Sequence, residues 1–355
     1  MSRRSAFDAL SLAFQHSRQQ LWPFRWSQWW RLAVLGFVTG ELGGGGGGVG
    51  RSVGRLPSIP SSSDTPDVST WPPDLTWFQD HVALIITAAL VIVVIVGLLL
   101  LLWTYVSSIC RFVLIDAIVS KRCDGIRAGW AKWRDVGRPY FVWQLLLQLV
   151  VTIVAAAPVL VVLIVAWRAG WFEPEHPNTA AIVASLLAIV GTLIVVGVIA
   201  MVVYVLGKDF VAPIMAVDRR GWRDAWKQTI ALMRVEPGSF AAYIGVKIVM
   251  TIVVGILVAV AALVVLVPLV LAGIAIVVSI GGFDVLQHPE MLVLVIAAGG
   301  VVLLLFAIVM ACLCVPLVVL FPAYGLYFLA ARYPSLDAWL ASEPGAGRDM
   351  PALAT

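Results

Sequence analysis

Residues 82–109 read VALIITAALVIVVIVGLLLLLWTYVSSI and contain no acidic or basic side chain. The hydrocarbon core of a bilayer is about 30 Å thick, so a helix needs about 20 apolar residues to cross it. Residues 141–167 and 180–206 meet the same requirement, again without a charge. The sequence therefore predicts a transmembrane helix in each of these three ranges.

The composition of the whole chain agrees with lipid as the solvent. Of the 355 residues, 61% are hydrophobic and only 12% are charged. Soluble proteins are roughly half apolar and about a quarter charged. An integral membrane protein is the class that this composition indicates.

Longer apolar runs follow towards the C-terminus. Residues 240–280 and 291–331 each have about twice the length of a span. We expect one crossing from each, either as a helix kinked at Pro268 or Pro316 or as a span with a short re-entrant piece. Residues 29–42 form a weaker candidate, because the apolar run is short and six consecutive glycines follow it. The expected fold is all-α, a polytopic transmembrane helical bundle of about six spans.

Positive charges are concentrated on one predicted side of the membrane. Twenty of the 24 Lys and Arg residues lie in residues 1–31, 110–139, 207–239 and 332–355. Because Lys and Arg are retained in the cytoplasm, we expect a multi-pass protein of the inner (plasma) membrane with both termini cytoplasmic. The net charge of +4 then reflects topology and not nucleic-acid binding, since the bases flank spans at the depth of anionic headgroups.

An internal repeat is indicated by two similar basic segments. Residues 125–130 read GIRAGW and residues 221–226 read GWRDAW, and each is followed by a proline, an aromatic residue and a span. We expect units of about 100 residues, each an interfacial helix followed by a transmembrane hairpin. The predicted division is a degenerate first repeat with a weak span, a Gly-rich external loop and a strong span (1–110), a second repeat (111–207), a third repeat (208–331) and a flexible cytoplasmic tail (332–355).

The repeated basic segments are predicted to be amphipathic helices, with tryptophans on one side and bases largely on the other. Such helices lie in the membrane interface and direct their bases towards lipid phosphates. The candidate headgroup contacts are Arg127, Trp130, Arg134, Arg220, Trp222, Arg223, Trp226 and Lys227. Alternatively, these segments are ordinary connectors that pack on the cytoplasmic ends of the spans.

Polar side chains recur at one predicted depth within the spans. Arg31, Gln148 and Lys247 each lie seven residues after an aromatic residue that opens a span. Ionisable groups in spans usually face a bundle interior or a wet cavity, so a polar ring could hold a lipid or solute headgroup. Its candidate members are Arg31, Gln144, Gln148, Tyr243, Lys247 and Thr251. In the alternative, the cations reach back to the interface and the glutamines hydrogen-bond between helices.

Catalytic and metal-binding patterns are not evident. The four histidines lie in separate segments, and none stands at a zinc-ligand spacing from another His or a Cys. We expect no enzyme activity, no metal and no cofactor. Two acids near the ends of spans are expected to form local charge pairs, Asp116 with Arg111 and Asp209 with Lys208.

A family resemblance is carried by residues 209–218, DFVAPIMAVD, followed by Gly221, Ala225 and Trp226. This pattern resembles uncharacterised prokaryotic six-span membrane families, whose relatives include the membrane domain of glycerophosphodiester phosphodiesterases. The resemblance implies a bacterial or archaeal inner-membrane protein with no assigned activity. The phosphodiesterase activity is not implied, because the chain has no polar stretch of about 200 residues that could form the soluble catalytic domain.

The sequence supports three hypotheses about function. The first is a non-enzymatic protein that engages lipid headgroups or organises the membrane, with membrane lipids as its partners. The second is a transporter or channel for a small anionic or amphipathic solute, with Lys247, Gln148 and Arg31 lining the path. The third is a subunit of a larger complex with a protein partner in the membrane.

Overall fold

The computed structural model describes residues 5–41, 75–123, 125–169, 179–280 and 289–342, and these residues form helices and no strand. The all-α prediction is confirmed. The helices are α1 (Ala6–Leu21), α2 (Trp26–Thr39), α3 (Leu75–Val119), α4 (Ile126–Arg168), α5 (Thr179–Leu206), α6 (Ala212–Asp218), α7 (Trp222–Val235), α8 (Pro237–Ile280), α9 (Pro289–Leu313), α10 (Val315–Ala330) and α11 (Pro334–Ser342). A π-helical turn, Gly207–Val211, joins α5 to α6.

Four helices, α3, α4, α5 and α8, are long and apolar enough to cross a membrane. A fifth crossing follows if α9 and α10, which meet at an angle of 40°, are one bent span. Helix α8 is continuous through Pro268, in keeping with a single crossing, whereas the second long run breaks at Cys314, two residues before Pro316. The length and composition of these helices are consistent with a membrane protein, but the described residues do not confirm six spans.

Helices α3, α4, α5 and α8 each have an exposed part and a part with buried residues, whereas the described side chains of α9 include no buried one. We call the exposed parts the arms: residues 82–103, 145–167, 180–203, 248–275 and 293–313. Among their described side chains, only Ala166 and Val254 are buried. The arms contain 21 to 28 residues each, about 32 to 42 Å of helix, which is enough to cross the hydrocarbon core.

The buried side chains lie mainly in a second set of residues that we call the base: residues 5–41, 104–144 without 124, 204–247 and 314–342. Its core contains a cluster of aromatic rings, among them Phe210, Tyr243 and Phe328, whose ring centroids lie within 6 Å of one another. Helix α1 packs on α10, so the first and last parts of the described chain meet at the same end of the arms.

The weak span predicted at residues 29–42 is not confirmed as a crossing. Helix α2 has 14 residues, about 21 Å of length, and ends at Gly40 in the left-handed conformation with φ of 75°. Glu41 then contacts Arg111 and Lys208, so the C-terminal end of α2 lies in the base. The Gly-rich loop that was predicted to follow lies outside the described residues.

The predicted repeat unit of an interfacial helix plus a hairpin is also not confirmed. The third copy has a separate basic helix, α7, but the second basic segment continues directly into the span as α4. Pro139 lies inside α4 without ending it, because Trp133 and Tyr140 on either side are buried against Phe112 of α3. Tertiary packing therefore outweighs the local effect of the proline.

The segment predicted as a flexible tail is helical in its first part. Residues 334–342 form α11, which packs on α10 and α6. Leu336 is fully buried, and the Trp339 ring lies 6.3 Å from the ring of Trp133. Residues 343–355 lie outside the described residues, and the boundaries of the other predicted units stay a prediction.

Candidate functional site

A buried ionic cluster lies where the arms join the base. Its five charged side chains come from four parts of the chain: the residue after the α2 cap, α3, the π-helical turn and α8. None is more than 6% exposed. The members of the ionic cluster are Glu41, Arg111, Lys208, Asp209 and Lys247.

Glu41 bridges two of the cations. Its Oε2 accepts from Nζ of Lys208 at 2.6 Å, and its Oε1 accepts from Nη1 of Arg111 at 3.1 Å. Arg111 also donates from Nη2 to the carbonyl oxygen of Thr39 at 3.0 Å and to the hydroxyl of Tyr204 at 3.1 Å. These bonds fasten the short helix α2 to α3 and α5.

Asp209 holds the third cation. It forms an ion pair with Lys247 of α8, and its Oδ2 accepts from the hydroxyl of Tyr243 at 2.9 Å. Gly325 of α10 lies next to Tyr243 and Asp209. A Cβ built at this glycine would lie 3.2 Å from the Tyr243 hydroxyl and 3.4 Å from Cβ of Asp209. A larger residue at position 325 would displace the pair.

The π-helical turn presents Lys208 and Asp209 to different partners. All five residues of the turn are buried, and π-helical turns inside α-helices are frequent at functional sites. Gly207 is required at its start, because a Cβ there would lie 2.1 Å from an atom of the Trp143 ring. The turn therefore packs against Trp143 of α4.

These contacts correct the expected local charge pairs. Asp209 pairs with Lys247 instead of its neighbour Lys208. Asp116 pairs with Lys132 at 2.8 Å, because Arg111, five residues earlier in α3, is directed towards Glu41. The observed partners are separated by 16 and 38 residues in the sequence. A prediction based on the nearest opposite charge in the sequence was therefore wrong for both acids.

A small cavity lies within the cluster, with a volume of about 20 Å³, which is room for one water-sized particle. It is lined by Glu41, Arg111, Leu114, Ile115, Lys208, Asp209, Pro213, Pro322 and Leu326. Seven buried polar side-chain atoms have no hydrogen-bond partner among the described residues, and one of them, Nε of Arg111, belongs to a residue that lines this cavity. Buried groups of this kind are usually satisfied by protein, water or ions.

The members of the predicted polar ring occupy different surroundings. The structure brings Tyr243 and Lys247 together at Asp209, and Thr251 donates to the carbonyl oxygen of Lys247 in its own helix. Gln144 is buried and accepts from the Ser108 hydroxyl.

The other two predicted members lie elsewhere. Gln148 is exposed on an arm. Arg31 donates from Nη1 to the carbonyl oxygen of Cys123 at 2.7 Å. The six residues therefore do not line one space in the described structure, and their role in binding stays a prediction.

Two of the predicted interfacial tryptophans contact aromatic residues at the ends of arms. The Trp130 ring lies 6.1 Å from that of Tyr105, which follows the α3 arm by two residues. The Trp226 ring lies 5.9 Å from that of Trp143, which precedes the α4 arm by two residues. Both basic segments therefore contact the boundary between the arms and the base.

The bases of these segments are exposed, whereas Trp130, Trp222 and Trp226 are partly buried. We call the exposed set the basic face: Arg127, Arg134, Arg220, Arg223 and Lys227. Its ion pairs are superficial, such as Lys227 with Asp224 at 3.3 Å. Exposed pairs of this kind contribute at most about 1 kcal/mol, so the cations remain accessible to external anions.

Comparison with protein families assigns almost the whole chain to one group. Residues 4–339 match the model of a family described as "Family of unknown function (DUF7544)". The chain belongs to this family. No curated protein and no solved structure matches it. Membership of DUF7544 agrees with the expected uncharacterised family, but it gives no link to the glycerophosphodiester phosphodiesterase membrane domain.

Sequence reasoning missed Glu41, the carboxylate at the centre of the cluster in this DUF7544 protein. A signal was present, because Glu41 is the only charged residue between Arg31 and Arg51. A lone acid at the end of an apolar run needs a cation from elsewhere in the fold. Which cation it pairs with depends on tertiary structure.

Proposed function

We propose that this protein is a non-enzymatic integral protein of the inner membrane whose base engages anionic lipid headgroups. The observation that carries the proposal is the contact of Trp130 with Tyr105 and of Trp226 with Trp143. These contacts hold the basic face at the ends of the arms, where headgroup phosphates lie when the arms cross the bilayer. Amphipathic aromatic side chains favour this depth.

The exposed surface of α2 supports the same interfacial placement. Trp26, Trp30 and Phe37 expose 60%, 44% and 54% of their surface. Phe37 also contacts Trp103 at the end of the α3 arm, with ring centroids 5.6 Å apart. Helix α2 thus adds an aromatic surface next to the arms, in the position of an interfacial anchor.

We propose that the base faces the cytoplasm, so that both termini are cytoplasmic. Support comes from the packing of α1 on α10 and from the 18 Lys and Arg residues that lie in the base among the described residues. A cytoplasmic leaflet rich in anionic lipid attracts each nearby base by about 1 kcal/mol. The five bases of the basic face would therefore add several kcal/mol of attraction.

The experiment uses a triple charge reversal, Arg220→Glu, Arg223→Glu and Lys227→Glu, in the whole protein. Native mass spectrometry after exchange with mixed phosphatidylglycerol and phosphatidylcholine should show that the variant loses its preference for phosphatidylglycerol, by on the order of 100-fold. The matched control keeps every charge: Arg220→Lys, Arg223→Lys and Lys227→Arg. Equal phosphatidylglycerol retention in both variants would overturn the proposal.

Transport of a small anionic or amphipathic solute is the second candidate function. The buried ionic cluster favours it, because ionisable groups inside membrane proteins often mark ion or substrate pathways. A variant Lys247→Cys tests it by labelling with a water-soluble thiol reagent. Labelling from both sides of the membrane would favour transport, and labelling from neither or one side would favour the lipid-binding proposal.

A protein partner in the membrane is a further proposal, since the arms offer large apolar surfaces that the described chain does not cover. Such a partner would cover the arms in place of lipid. Mild-detergent purification followed by mass spectrometry should then recover a second membrane protein in fixed ratio. Recovery of this chain with lipid alone would argue against the partner.

A further inference from the structure

The ionic cluster carries unequal numbers of positive and negative groups. Its three cations, Arg111, Lys208 and Lys247, face two carboxylates, Glu41 and Asp209. These five are the only Lys, Arg, Asp and Glu residues classed as buried in the described part of the chain. With every group ionised, the cluster has one surplus positive charge, and an uncompensated buried charge is strongly destabilising.

The cavity adjoins two of the three cations, so a bound anion there could balance the surplus positive charge of the cluster. Arg111 and Lys208 line the cavity, and so do the two carboxylates of the cluster. Nε of Arg111 has no acceptor, although Arg111 is only 3% exposed. A buried guanidinium N–H without a partner, in a residue that lines a cavity, indicates a missing acceptor.

We propose that the cavity in the ionic cluster binds one small monovalent anion of the halide class. The anion brings the charge of the cluster to zero and provides an acceptor beside Arg111. The cavity has room for about one water-sized particle, which suits a monatomic anion better than the larger tetrahedral sulfate and phosphate ions. The surrounding Leu114, Ile115 and Leu326 keep bulk water from competing for the cations.

The rival state is a cluster that holds water and one neutral lysine. Both states satisfy the charge balance, but only the halide state links the stability of the fold to halide concentration. A ligand that binds only the folded protein stabilises it in proportion to the logarithm of its concentration above the dissociation constant. Thermal unfolding therefore distinguishes the two.

The test is a melting experiment on the detergent-solubilised protein at pH 7, followed by tryptophan fluorescence. Sodium gluconate is replaced stepwise by sodium chloride at constant ionic strength. We expect Tm to rise with the logarithm of the chloride concentration above the dissociation constant, by roughly 3 °C at tenfold excess. Bromide should reproduce the rise and sulfate should not. A Tm that does not depend on the anion would overturn the proposal.

A pair of lysine variants assigns the effect to the cluster. Lys208→Met leaves two cations with two carboxylates, so the chloride response should disappear. Lys132→Met removes a cation that is 50% exposed on α4 and belongs to neither the ionic cluster nor the basic face, so this variant should keep the response. Equal chloride responses in the two variants would place the bound anion outside the cavity and contradict the assignment.

A second measurement covers the case in which Lys208→Met does not fold. Chlorine-35 NMR of the wild-type protein should show line broadening that bromide relieves and gluconate does not. Broadening that persists in the presence of excess bromide, or none at all, would count against the site. Neither result depends on lipid binding by the basic face.

Discussion

The two halves of α3 differ in what surrounds them, although most residues in both are apolar. In the arm, residues 82–103 expose nearly every side chain, whereas Phe112, Leu114 and Ile118 in the base are fully or almost fully buried. In the arm, a side chain needs only to be apolar, because lipid adapts to its shape. In the base, a side chain has fixed neighbours, so its shape, charge and hydrogen bonds all matter.

The largest expected effect of this difference is on the ionic cluster. Glu41→Gln leaves Arg111 and Lys208 without their shared carboxylate, and breaking a buried pair costs about 3 to 5 kcal/mol. The Tm in detergent should fall by about 10 °C or more. Asp224→Asn, which breaks an exposed pair on α7, is the matched control and should cost under about 1 kcal/mol. Similar losses from both variants would contradict a buried, tightly paired cluster.

The next effect is a pH dependence that arises in the base. Burial, assisted by the positive charge of Lys121, lowers the pKa of His16 from 6.5 to about 4. Neutral His16 donates from Nε2 to the carbonyl oxygen of Ile118 and accepts at Nδ1 from the Tyr327 hydroxyl, each at 2.9 Å. Protonation would place a charge in the core and would require the Tyr327 hydroxyl to accept from Nδ1 instead of donating to it.

His16 therefore contributes its full stability above pH 6.5 and loses it as the pH falls towards 4. The expected loss is about 3 kcal/mol, measured as Tm against pH. His16→Gln can donate and accept at similar positions without titrating, so its Tm should vary less over this range. An equally steep curve for this variant would assign the pH dependence to other groups.

A pair of glycines in one helical stretch sharpens the comparison further. Gly207→Ala would force a methyl group to within 2.1 Å of the Trp143 ring, at a cost of about 1 to 3 kcal/mol. Gly197→Ala, ten residues earlier in the α5 arm, meets no atom within 4 Å. It should be neutral or stabilise the helix by up to about 1 kcal/mol. Equal losses at both positions would mean that the arm is packed as tightly as the base.

The arms could be predicted from the sequence because crossing a bilayer is a local property. An uncharged apolar run of sufficient length, such as residues 82–109, is enough to identify a span. The side of the base could likewise be proposed from the distribution of Lys and Arg. Both predictions need only composition along the chain, and no knowledge of which residues meet.

The base could not be predicted in the same way, because its contacts are long-range. Glu41 and Arg111 are 70 residues apart, and Glu41 and Lys208 are 167 apart. Pro139 is a local breaking signal that packing on α3 overrides, so α4 continues where a separate interfacial helix was expected. The polar residues were recognised, but Arg31 and Gln148 could not be separated from Lys247 without the tertiary fold.

The account as a whole depends on arms that cross the membrane and a base that lies on one side of it. Single cysteines at positions 121, 227 and 168, in a chain without its four native cysteines, can be labelled with a membrane-impermeant maleimide in right-side-out and inverted vesicles. Lys121→Cys and Lys227→Cys should react only in inverted vesicles, and Arg168→Cys, at the far end of the α4 arm, only in right-side-out vesicles. Labelling of Lys121→Cys and Lys227→Cys from opposite sides, or of Arg168→Cys from the same side as these two, would contradict it.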